Sequence, residues 1–288
     1  MSKSKVFFTN EITPEAVMRL YDTLGVDLPG KVAVKLHSGE VGNQNFIRPE
    51  FWKPMIDKVN GTIVECNTAY EGGRNSTEKH QDTMKLHGWT DIAEVDIMDA
   101  DGEVELEIQN ANQIHKNYVG DHIKNYDSML VLSHFKGHPM GGFGGAIKNV
   151  SIGVASAHGK AYIHGVGDVN NFWDSDHDSF LESMADATSS VIQYFDGKMA
   201  YINVMCNMSV DCDCCAVAED PCMKDIGILA SLDPIALDQA CLDLVYQSDD
   251  PGRDHLIERI ESRNGVHTIE AAAKLGYGSR EYELIDLS

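Results

Sequence analysis

Short apolar runs alternate along the chain with stretches in which apolar residues recur every three to four positions, a pattern that predicts strands alternating with helices. Val6-Phe7-Phe8 predicts a first strand. Thr13 and Pro14 open a helix as N-cap and first helical residue, Val17, Leu20, Tyr21 and Leu24 share one face, and Gly25 ends it. Lys31 to Leu36 predicts a second strand. Pro49 begins a helix that buries Phe51, Met55, Ile56 and Val59, with a break or tight first turn expected at Pro54. Further strands are predicted at Thr62 to Cys66, Val95 to Met98, Val104 to Ile108, Met129 to Leu132, Ala200 to Met205, Ile226 to Ala230 and Tyr282 to Ile285. Helices are predicted through Lys79 to Leu86, from Ala146, over Phe180 to Phe195, from Pro234 with Asp233 as its cap, and at Leu256 to Ser262 and Thr268 to Leu275. The polar stretch from Asp99 to Asp121 has little periodicity.

Strands separated by helices pair in parallel, because parallel neighbours need crossovers. The expected fold class is α/β: a mostly parallel sheet, or two, with helices on both faces. It forms either a single domain over residues 1–288 or two Rossmann-like lobes, about 1–125 and 126–288, with a cleft between. His37, Cys66, His134, Cys206 and Ser231 each fall at the carboxyl end of a predicted strand, where loops converge and ligands bind in such sheets.

The run from Met129 to Gly165 concentrates four histidines, three lysines and four glycines within five residues. Gly141, Gly142, Gly144 and Gly145 let backbone approach a ligand, and a helix starting at Ala146 would offer its N–H groups to an anion. Imidazoles titrate near neutral pH or bind metal, and ammonium groups neutralise carboxylate or phosphate. His134, Lys136, His138, Lys148 and His164 are therefore the candidate catalytic residues; the four glycines and Lys160 are candidates for holding a ligand or cofactor. The run has neither the Walker lysine spacing nor a G-x-G-x-x-G, which argues against a nucleotide.

The string SHFKGHPMGGFGGAIKN followed by IGVAS resembles the signature of the domain-of-unknown-function 362 family, whose members are described as uncharacterised iron–sulfur centre proteins. The resemblance extends back to Val34-Lys35-Leu36-His37-Ser38-Gly39-Glu40 and to Asn67-Thr68-Ala69-Tyr70 with Gly72, Arg74 and Asn75. It extends forward to Asp211-Cys212-Asp213-Cys214 and to Ser231-Asp233-Pro234 with Asp238. It implies an α/β fold with a redox character. Many relatives insert a ferredoxin-type segment after the histidine matched by His164, and this chain has no cysteine between Gly165 and Phe180.

Cys206, Cys212, Cys214, Cys215 and Cys222 fall within seventeen residues. Thiolates so close repel one another unless a cation is shared, so these five are the candidate metal ligands. Their spacing matches neither a bacterial ferredoxin run nor paired zinc knuckles. The expected occupant is an iron–sulfur cluster of the 4Fe–4S type, with zinc or nickel as alternatives. Cys241 reads as a buried core thiol, and Cys66 as a buried strand-end thiol with a remote metal ligand as its alternative role.

The formal charge is −22, from 45 acidic against 23 basic residues, a field that repels nucleic acid and anionic membrane surfaces. No apolar run is long enough to span a bilayer, and the start MSKSKVFFTNEI has too short an apolar core for a secretory signal, so a cytoplasmic protein with reduced thiols is expected. The functional expectation is an iron–sulfur or other metal-dependent oxidoreductase acting on a small anionic molecule, with an electron-donor protein as partner. Two alternatives stand beside it. The histidine, glycine-glycine and lysine layout is distantly similar to the nickel-dependent lactate racemase family, which implies a racemase or isomerase of a small acid with Lys148 as the cofactor attachment point. The other is a non-enzymatic electron-transfer or metal-carrier protein.

Overall fold

The structure is a computed structural model that describes residues 3–288; the first two residues of the amino-terminal segment read above lie outside it. The chain begins β1 (Ser4–Thr9), α1 (Pro14–Leu24), β2 (Val32–Lys35), α2 (Pro49–Val59), β3 (Thr62–Glu65), α3 (Thr77–Leu86) and β4 (Val95–Ile97). A hairpin of β5 (Glu103–Glu107) and β6 (Lys116–Gly120) precedes β7 (Ser128–His134). A second hairpin, β8 (Lys136–His138) and β9 (Gly142–Gly144), leads into α4 (Ala146–Val154), α5 (Ala157–His164) and α6 (His177–Phe195). The remainder is β10 (Met199–Met205), β11 (Gly227–Ser231), α7 (Pro234–Gln247), α8 (Arg253–Ser262), α9 (Val266–Lys274) and β12 (Tyr282–Asp286).

Eight strands form one sheet in the order β12-β1-β11-β10-β7-β2-β3-β4, so strands from before and after residue 125 share it. All neighbours are parallel except those of β11, which runs against both β1 and β10. The alternation of side chains in the central strands fills two cores. Val34, Leu130, Leu132 and Ile202 pack with α1 and α2 through Val17, Leu20, Trp52 and Ile56. Ala33, Met129, Val131 and Tyr201 pack on the opposite face with α4, α7 and α9 through Ile147, Val150, Leu237 and Ile269. A smaller cluster joins Ile163 of α5 to Phe180 and Met184 of α6.

Three local expectations need correction. Beta strand β11 is antiparallel because the segment that feeds it, residues 206–226, contains no helix and returns without a crossover. Ser231 therefore sits at the opposite end of the sheet from His37, Cys66, His134 and Cys206, with its hydroxyl bonded to the Lys5 carbonyl. Pro54 neither breaks nor shortens α2; the ring sits inside a continuous helix and removes one N–H donor. The polar stretch after Asp99 holds the strand expected at Val104 to Ile108, here β5, and beside it β6, a strand that was not expected.

Candidate functional site

The carboxyl ends of β2, β3 and β7 open into a cavity of about 320 Å³, closed above by the β8–β9 hairpin, α4, α5 and the loop that carries the cysteines. Buried charges brace its floor. Lys35 Nζ lies 2.7 Å from Glu65 Oε2 and donates to Asn149 Oδ1 at 2.9 Å, while Glu65 Oε1 accepts from the Ser38 amide and hydroxyl. Burial opposes both charges and lowers the Lys35 pKa; it works against the Glu65 carboxylate too, but Lys35 and His37 hold that group far below its usual range. Arg74 adds a second buried pair with Glu40 at 3.1 Å.

Asp213 organises the neighbouring wall. Its carboxylate takes the Lys136 ammonium and His134 Nδ1, each at 3.0 Å. Burial disfavours its charge, yet these two partners keep the carboxyl well below the ordinary aspartate range. His134 Nε2 meets the Cys206 carbonyl at 2.6 Å, so both ring nitrogens face acceptors and the ring serves as a clamp between β7 and the cysteine loop. The candidate acid–base role of His134 leaves no nitrogen for substrate.

The cysteine loop is held in place by backbone acceptors. Asn43 Nδ2 donates to the Cys215 carbonyl at 2.9 Å, Gln44 and Asn45 reach the carbonyls of Ala218 and Glu219, and the Gly137 amide donates to Ser209. A β-carbon at Gly137 would stand 2.3 Å from the Val210 carbonyl oxygen, so the hairpin and loop approach only because that residue is glycine. The loop thus brings Cys214 and Cys215 to the cavity lining, with Cys212 directly behind them.

The five candidate metal ligands do not converge. Cys212 and Cys214 sulfurs and a ring nitrogen of His138 all lie within 4.8 Å of one another, a donor set that suits a thiophilic metal. The Cys214 amide also approaches Cys212 Sγ at 3.4 Å, a contact that favours thiolate. Burial pushes the Cys212 thiol up to about 11, whereas a bond from Cys214 lowers the Cys215 pKa. Cys206 is instead packed in the core beside α1 and α2, and Cys222 turns its thiol to the Met208 carbonyl at 3.2 Å. Neither lines the cavity, so a centre built from all five thiols is not formed.

The glycine run also does something other than expected. The N–H groups of Ala146 and Ile147 at the start of α4 are taken by Asp238 of α7, at 2.8 and 2.9 Å, so an anion does not find that helix terminus open. Gly141, Gly142, Gly144 and Gly145 shape the hairpin and the entry to α4: a β-carbon at Gly145 would meet Asp238 at 2.4 Å, and Gly142 has φ of 78° against Gly265. Gly144 and Gly145 line the cavity.

Positive charge reaches the cavity from Lys148 and Lys160, which have no carboxylate within ion-pair distance among the described residues. Lys160 donates to the carbonyl of Ala155 at 2.6 Å, and burial lowers its pKa. The three remaining cavity histidines differ in their hydrogen bonds. Nδ1 of His37 accepts from the Gly39 amide, and Nδ1 of His138 accepts from the amides of Met140 and Gly141. His164 does the reverse: its Nδ1 donates to the Lys160 carbonyl at 2.7 Å, and the ring stacks between Phe172 and Phe180. Burial pushes both His138 and His164 down to about 4, which keeps them neutral.

Sequence reasoning gave no site role to Lys35, Asp213 and Asn149, although all three fall in the stretches that resemble the family signature, and it passed over Phe172 and Trp173. Lys35 also carries a local signal, a lysine inside an otherwise apolar strand, Val32-Ala33-Val34-Lys35. No helix among the described residues is long and apolar enough to cross a membrane.

Against known proteins, residues 32–243 match the model of a family described as a domain of unknown function, DUF362. No curated protein matches. Among solved structures, the lactate racemase apoprotein from Thermoanaerobacterium thermosaccharolyticum is 14% identical, with a TM-score of 0.39 over 69% of this chain and 50% of that one. A structural-genomics protein from Thermotoga maritima is 11% identical, with a TM-score of 0.43 over 92% of this chain and 60% of that one. The chain thus spans half the length of the first and 60% of the second.

Proposed function

The chain belongs to the DUF362 family, and on that premise we propose that it is a metal-dependent enzyme that binds a small anionic substrate in the cavity over β2, β3 and β7. The observation that carries the reading is the meeting, at one cavity, of two lysines without carboxylate partners among the described residues and a cysteine pair beside an imidazole, with Cys214 and His138 in the lining and Cys212 just behind. In a molecule of charge −22, cationic side chains gathered in a pocket have an anion as their natural complement. Lys148 and Lys160 would hold that anion; Phe172, Trp173 and Met140 would cover its apolar part.

The metal would sit on the thiols of Cys212 and Cys214, with His138 alongside. Two thiolates on one tetrahedral ion with bonds of about 2.3 Å lie roughly 3.8 Å apart, which suits donor atoms that all fall within 4.8 Å. A bound iron centre would supply redox chemistry to the anion, and a zinc ion Lewis acidity. An enclosed thiol pair favours an enzyme over an electron carrier, whose centre would be presented to its partner at the surface.

Anaerobic purification followed by metal and acid-labile sulfide analysis tests this reading. Iron or zinc near one equivalent, lost when Cys212 and Cys214 are both changed to serine, is the expected result. Metal retained in that double variant would place the centre elsewhere, and sulfide in proportion to iron would identify a cluster rather than a single ion.

A further inference from the structure

We propose that His138 is a hydrogen-bond donor to the sulfur of the metal centre and not one of its ligands. The inference rests on the metal-site reading above and concerns which atoms complete that site. A metal-bound imidazole has a lone pair at the bound nitrogen and donates its remote N–H to a carbonyl, carboxylate or water. His138 has the opposite polarity. Its remote nitrogen, Nδ1, receives the amide hydrogens of Met140 at 3.1 Å and Gly141 at 2.9 Å. Amides only donate, so Nδ1 must hold the lone pair, and in the neutral ring the single proton lies on Nε2. That nitrogen is the one that faces Cys214, 3.7 Å from its Sγ.

Ligation through Nε2 would require either an imidazolate or a rearranged turn that withdraws both amides from Nδ1. The turn has little room to move. A β-carbon at Gly142 would meet Gly265 at 2.9 Å and the Ile260 carbonyl at 3.0 Å, and one at Gly137 would meet Val210 at 2.3 Å. The backbone on both sides of His138 is thus pressed against α8 and the cysteine loop, and His138 itself is only 5% exposed. An N–H aimed at a thiolate spreads its charge and adjusts the affinity or potential of whatever metal it binds. His138 is a positioning residue in this sense, acting on the centre through Cys214. His164, with Nδ1 donating to a carbonyl, is the cavity histidine whose Nε2 keeps a lone pair.

Two measurements on the full chain decide the matter. In metal-free protein, long-range nitrogen–proton NMR of the ring is expected to show the Nε2–H tautomer at His138; an Nδ1–H tautomer overturns the proposal whatever the metal does. In zinc-loaded protein, X-ray absorption is expected to give no nitrogen component that depends on this residue, with the same spectrum in wild type, His138→Gln and His138→Leu. His138→Gln, which can still donate, should keep zinc affinity within about threefold, and His138→Leu should lose about tenfold at unchanged stoichiometry. A nitrogen shell near 2.0 Å in wild type that vanishes in both variants would make His138 a ligand. Failure of the wild-type protein to take up zinc or iron would instead overturn the metal-centre reading, and the tautomer alone would then judge the hydrogen bond.

Discussion

Asp238 shows how much one buried side chain decides. It accepts from the amides of Ala146 and Ile147 and from Asn203 Nδ2, so it caps α4 from a different helix. Asp238→Ala would leave three buried donors unpaired, each costing about 1–3 kcal/mol, and a fall on the order of 3–5 kcal/mol is expected in urea unfolding. Burial lifts this carboxyl from 3.8 to about 6. The folded chain therefore holds the proton more tightly than the unfolded one: the contribution to stability is complete below roughly pH 4 and is lost as the pH climbs toward 6. Unfolding midpoints measured across that interval should show the slope in wild type and its disappearance in Asp238→Ala. Residue chemistry of this kind was only half legible. The sequence marked His134 as functional, but the partners that consume its two nitrogens, Asp213 and the Cys206 carbonyl, lie 79 and 72 positions away, beyond any local pattern. Cys206 and Cys222 were grouped with Cys212 and Cys214 by proximity along the chain, which says nothing of which way a loop turns each thiol.

At the level of elements, strand and helix periodicity located most of the sheet, because its central strands are buried on both faces and read as continuous apolar runs. Direction was less accessible. Strand β11 is a buried, mostly apolar run like the parallel strands of the sheet, and only the helix-free segment before it distinguishes its course. Pro54 gives a test of local cost. It lies partly exposed within α2 without donating to the preceding turn, so Pro54→Ala should raise stability by about 1 kcal/mol in chemical denaturation. The contact between β8 and the cysteine loop gives another. Gly137→Ala forces a methyl against the Val210 carbonyl; a loss of about 2 kcal/mol is expected, together with faster iodoacetamide labelling of Cys214 and Cys215 by mass spectrometry. Unchanged labelling would mean that the loop does not depend on this contact.

Over the whole molecule, charge is distributed unevenly: a strongly acidic chain encloses a cavity bearing Lys148 and Lys160. Self-repulsion across the exterior is screened by salt, while buried pairs such as Lys35 with Glu65 are screened little. Raising sodium chloride from about 20 to 200 mM should therefore lift the melting temperature by roughly 2–4 °C, as followed by circular dichroism. A melting temperature that fell with salt would show that surface ion pairs outweigh the net repulsion. The residues that match the DUF362 family, 32–243, contain every side chain that lines the cavity but neither β1 nor β12.

Those two strands lie side by side in parallel register, from Ser4 opposite Tyr282 to Phe8 opposite Asp286. During folding, β1 has both of its backbone edges occupied only once β12, far along the chain, is in place beside it. Until then the sheet keeps an open margin at β1, while the strands over which the cavity opens already lie inside it.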